Sequence, residues 1–99
     1  MKILTLTLKK KWFDMILSGE KKEEYREIKP YWQTRFLESD TINKNFDAVL
    51  FKNGYAKNAP SILIEHCGLW AGHGRISWGA PDKKVYIILL GSIIETKNI

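Results

Sequence analysis

Ninety-nine residues, 44 % hydrophobic and 12 % aromatic, exclude wholesale disorder and leave room for a single domain, 1–99, with a core of modest size. A formal charge of +5, from sixteen Lys and Arg against eleven Asp and Glu, points to a polyanionic partner, most simply nucleic acid, although lysines outnumber arginines and serve solubility equally. One cysteine, Cys67, excludes an intramolecular disulfide and fits a reducing cytoplasm, and no apolar run is long enough to span a bilayer.

The chain opens with strict alternation over 3–8, with Leu4, Leu6 and Leu8 on one face, which predicts a half-buried strand. This apolar start runs into Lys9, Lys10 and Lys11 too soon for a signal peptide. Over 10–18 the period becomes helical, pairing Trp12 with Ile16 and Phe13 with Leu17, and Gly19 supplies the stop. Three lysines at that helix's start face its positive end, a conflict that a bound phosphate or plain solvation would relieve. A second strand is expected over 20–27. Pro30 then begins a second short helix over 30–38, where Trp32 with Phe36 and Tyr31 with Arg35 are i, i+4 pairs and the aromatic stripe reads as core.

Residues 39–45 read as polar loop and 46–52 as a strand. Asn53-Gly54 predicts a tight hairpin turn, with Tyr55 starting the return and Pro60 marking an edge or a break. Residues 61–67 resume as strand. Glycine-rich 68–83 reads as a long loop of the sort that carries function, and 84–96 as the closing strand, with a bulge or bend at Gly91. Strands outnumber helices and no long crossover helix separates them. A mixed or antiparallel sheet rolled into a barrel therefore fits better than a parallel α/β fold.

Gly19-Glu20-Lys21-Lys22-Glu23-Glu24-Tyr25-Arg26 concentrates acids, bases and an aromatic directly behind the first helix. On a regular strand Glu24 and Arg26 share a face and Lys21 does not, so a common cleft requires Lys21 on the turn. A carboxylate between two cations holds both in register, and the arginine fork suits phosphate or a base edge. Buried, the same lysine serves as a base or nucleophile. The bland alternative is a solvated, salt-bridged edge strand.

Gly19, Lys21, Glu24 and Arg26 fit G-x-K-x-x-E-x-R, which resembles the signature of the ASCH domain family, relatives of the RNA-binding PUA domains. The likeness extends to the opening strand and helix, the turn from Phe51 to Tyr55, and the closing Leu90-Gly91-Ser92-Ile93-Ile94. It implies a mixed α+β, mainly β fold, a PUA-like barrel of about five or six strands with two short helices. It also implies an RNA- or nucleotide-binding cleft at Lys21, Glu24 and Arg26, with Asn53, Tyr55, Trp70, Arg75 and Trp78 as candidates for a stacking wall.

Some ASCH relatives are small amidohydrolases acting on N4-acetylcytidine. The resemblance therefore also admits catalysis by Lys21 and Glu24, as an amidohydrolase or a ribonuclease, but those enzymes carry threonine where this chain has Glu24, and their remote glutamate has only Glu65 as a candidate here. No cofactor is implied. His66, Cys67 and His73 lack the spacing of a metal site, and Cys67 reads as a packed thiol. Gly72-His73-Gly74-Arg75 lacks the spacing of a phosphate-binding loop. A protein-binding adaptor remains the third class.

Overall fold

A computed structural model describes all residues, 1–99. Strand β1 (Ile3–Thr7) leads into helix α1 (Lys10–Leu17), then β2 (Glu23–Arg26), α2 (Pro30–Phe36) and the small hairpin β3 (Leu37–Ser39) and β4 (Ile42–Asn43). Strands β5 (Ala48–Lys52), β6 (Ser61–His73) and β7 (Lys84–Lys97) complete the chain, with a 3-10 turn at Ile76–Trp78 between the last two. The architecture is mixed α+β and mainly β. One five-stranded sheet runs in the order β1-β5-β6-β7-β2, with β1 parallel to β5 and every other pair antiparallel.

The sheet is not closed: β1 and β2 are both free edges. The closed barrel expected from the sequence is therefore not formed, and the two edges meet through a side chain, with Arg26 at the end of β2 donating from Nη2 to the Thr7 carbonyl of β1 at 3.3 Å.

Alternation in β1 places Leu4, Leu6 and Leu8 inward as expected, all nearly inaccessible, against Val49 and Phe51 of β5, Ile62 and Ile64 of β6 and Ile88 of β7. Phe13 and Ile16 of α1 and Phe36 of α2 close this core. A second, smaller cluster of Tyr25, Ala80, Val85 and Ile87, flanked by Trp78 and Leu89, lies on the opposite face of β2 and β7.

Several expected boundaries move. The second strand starts at Glu23 rather than 20, because 18–22 is spent turning the chain out of α1. The expected polar loop 39–45 contains the β3–β4 hairpin. Asn53-Gly54 does not form a tight two-residue hairpin, and the chain returns only at Ser61. Instead Asn53 N–H donates to Pro60 O and its side chain to Leu8 O, both reaching across a wider loop.

The largest correction concerns 68–83. Strand β6 runs on through Gly68 to His73 and pairs with β7 along its full length, so the long loop shrinks to 74–83. Glycines are accommodated there by bulges. The register gains a residue in β6 between His66 and Gly68, where Gly68 takes φ +140°, and in β7 around the predicted Gly91, where Ser92 N–H donates to Glu65 Oε1 at 2.8 Å. Cys67 sits at the first of these and is exposed, not packed, since an extra strand residue has no partner to cover it.

Candidate functional site

The site grows from the exit of α1. Gly19 takes φ +86°, the left-handed conformation that ends a helix, and Lys21 N–H returns to Met15 O at 2.9 Å. The turn drops Lys21 under the edge of β2, as the shared cleft required. Its side chain is 1 % exposed. Nζ stands 3.2 Å from Glu24 Oε1 and donates to the Trp78 carbonyl at 2.5 Å, with the Tyr25 ring centroid at 4.5 Å and that of Trp12 at 5.5 Å. Burial pushes this ammonium down from its ordinary 10.5, while the charge of Glu24 and its hydrogen bond pull it back up.

Glu24, 5 % exposed, is the hub. One carboxylate oxygen faces Lys21, and the other accepts from Arg26 Nη1. The guanidinium of Arg26 is fixed further by the carbonyls of Tyr25 at 2.9 Å and Thr7, and lies 5.1 Å from the Trp32 ring centroid. Its side chain is 17 % exposed, and that exposed part lines two adjoining grooves. One, of about 220 Å³, runs past Tyr25, Gly79 and Pro81. The other, of about 430 Å³, runs along the edge of β1 between Trp32, Arg35 and Tyr55.

Tyr25, between the two partners of the motif, points to the other face. Its hydroxyl donates to Glu23 Oε1 at 2.7 Å and accepts from Arg75 N–H at 3.1 Å, tying the 74–83 loop to β2. Burial first, with the Glu23 hydrogen bond and charge adding, pushes the Tyr25 phenol up to about 12.

The sequence candidates therefore divide. Lys21, Glu24, Arg26 and Trp78 come together, Trp78 through its main-chain carbonyl, while its ring carries the Arg75 guanidinium at 4.6 Å. Tyr55, 90 % exposed, joins Arg26 at the second groove. Asn53 is occupied by Leu8 O at the loop base. Trp70 stands on β6 opposite Ile87, on the Tyr25 face and away from Glu24 and Arg26. Glu65 is engaged at the β7 bulge. His66 packs against Phe46, His73 is exposed, and no group of three or more His, Cys, Asp or Glu is placed to hold a metal.

The residues missed as site candidates are on α2. Tyr31, Trp32 and Arg35 face the second groove, and the Tyr31/Arg35 spacing that marked the helix was the available signal. Residues at i, i+4 share a helix face whether they meet solvent or ligand.

Fold and site together define a small β-rich α+β domain with a buried Lys-Glu-Arg relay whose arginine opens onto surface grooves. Comparison with protein-family models, curated proteins and solved structures finds no match to this chain. No helix is long and apolar enough to cross a membrane.

Proposed function

We propose that this is a cytoplasmic RNA-binding domain of the PUA-like ASCH kind, which holds RNA or a nucleotide fragment of it in the grooves flanking Arg26. The observation that carries the reading is the anchoring of Arg26. Glu24, two carbonyls and the Trp32 face fix its fork, while its outer side stays open beside aromatic rings. An arginine held in this way binds phosphate or a base edge with little ordering left to do. Lys21 acts through Glu24 and does not reach the groove, since its amine is spoken for by Glu24 and Trp78.

The test is binding of short single-stranded RNA across a salt series. Arg26→Ala is expected to weaken binding by about 1–3 kcal/mol and to flatten the log-log salt dependence by about 0.7, the single-strand value for one phosphate contact. Equal affinity and slope in Arg26→Ala and the parent would reject the reading.

One observation favours a second reading, hydrolysis of an N4-acetylcytidine-type nucleoside: burial depresses the Lys21 ammonium, as a lysine nucleophile or base requires. Its 1 % exposure opposes it. Acetate release by the parent protein that Lys21→Met abolishes would establish hydrolysis; absence of release alongside Arg26-dependent RNA binding retires it.

A further inference from the structure

Resting on the RNA-binding reading, we infer that the groove between α2 and the edge of β1 is a second phosphate site centred on Arg35, so that the ligand is a single strand of at least two nucleotides. The free edge of β1 sets the geometry. Its Thr5 and Thr7 carbonyls accept from Arg35 Nη2 at 3.2 Å and from Arg26 Nη2 at 3.3 Å. Carbonyls two strand residues apart are separated by roughly 6.6 Å, so the edge spaces two guanidinium groups by about that length. Phosphates of one strand recur about every 3.4 Å of axis when stacked, and a single nucleotide covers a comparable span to the arginine pair when drawn out.

Charge makes the same point. Arg26 has Glu24 as its one carboxylate partner, whereas Arg35 has no carboxylate within ion-pair reach and is held only by Thr5 O and the Tyr31 hydroxyl at 3.0 Å. Both guanidinium groups lie against the same ring, 5.1 and 5.8 Å from the Trp32 centroid. Two like charges gathered at one indole repel each other, and an anion laid across them removes that repulsion. The rim supplies what bases need: Tyr31, edge-on to Trp32 at 4.8 Å, is still 58 % exposed, and Tyr55 is 90 % exposed. Arginine pairs an acidic peptide as readily as a phosphodiester, but exposed aromatic rings lining the same groove as the two guanidinium groups favour splayed bases.

The experiment titrates the protein with uridine 5′-monophosphate, an eight-nucleotide oligouridylate and oligoglutamate of equal charge, for the parent, Arg26→Ala, Arg35→Ala, Arg35→Lys and Tyr55→Ala. Oligouridylate is expected to bind the parent at least tenfold more tightly than the mononucleotide. Arg35→Ala should erase that advantage and flatten the salt dependence by about 0.7, and Arg35→Lys should restore the slope. Tyr55→Ala, at a position too exposed to affect folding, should weaken oligouridylate binding roughly fivefold or more. If the oligomer binds through Arg26 but Arg35→Ala and Tyr55→Ala match the parent, the second site is wrong and the RNA-binding reading survives. If no nucleotide binds, or oligoglutamate binds instead, both fall.

Discussion

Glu24→Ala is expected to destabilise the fold by roughly 3–5 kcal/mol, the cost of leaving a buried charge without its partner. Glu24 alone neutralises Lys21, which is 1 % exposed and whose other polar contact is the Trp78 carbonyl. Lys21→Met should behave quite differently. It removes the buried charge together with its desolvation penalty, fills a similar volume between Trp12 and Tyr25, and leaves Glu24 paired with Arg26. Its cost is expected within about 1 kcal/mol of zero, of either sign. Urea midpoints of the two variants decide the matter: equal destabilisation would mean that Lys21 is not the charge that Glu24 is there to hold.

The pH dependence of stability follows from the same pair. Burial sets the folded Lys21 below its ordinary 10.5, so between those two values the unfolded chain binds more protons and stability rises with pH. Without Glu24, which opposes the shift, that rise should begin at lower pH, and in Lys21→Met it should vanish. Tyr25 acts in the opposite sense. Its folded value near 12 against an ordinary 10.0 means the folded state keeps its proton longer, and stability is lost as pH climbs through that interval. Tyr25→Phe should remove this alkaline decline.

How much of this was legible in the sequence depended on whether the signal was local. Alternation of Leu4, Leu6 and Leu8 fixed the inward face of β1, and the face argument placed Lys21 on a turn that Gly19 makes possible. Composition misled at Gly68 and Gly72. Glycines signal a loop when the chain is read alone, but here they sit inside a strand that bulges at Gly68, which depends on β7 lying alongside. Nor is there a local signal for an open sheet whose edges are joined by an arginine, because Thr7 and Arg26 meet only once five strands are ordered. The same distance in sequence hid the α2 groove: Arg35 reaches Thr5, 30 positions earlier.

Gly74→Ala should be the most disruptive small change at the site, costing about 1–3 kcal/mol by overpacking. A methyl group there would stand 2.7 Å from Cδ1 and Cζ of Tyr25, and closer still to Cε1. The ring cannot yield cheaply, because it is 7 % exposed and its hydroxyl is held by Glu23 on one side and Arg75 N–H on the other. Relief therefore has to come from lifting the 74–83 loop. That movement carries Trp78 away from Lys21 Nζ and strips the buried ammonium of its carbonyl partner, so the variant is expected to lose ordering at Arg26 as well as stability. Gly72→Ala, two residues back near the end of β6, is the control: its nearest neighbour would be Ile87 Cδ1 at 3.8 Å, an ordinary contact. Thermal unfolding together with hydrogen exchange at Arg75 N–H distinguishes the two. Faster exchange at Arg75 in Gly74→Ala alone is the expected result, and equal stability and protection in both variants would show that Tyr25 does not clamp the loop.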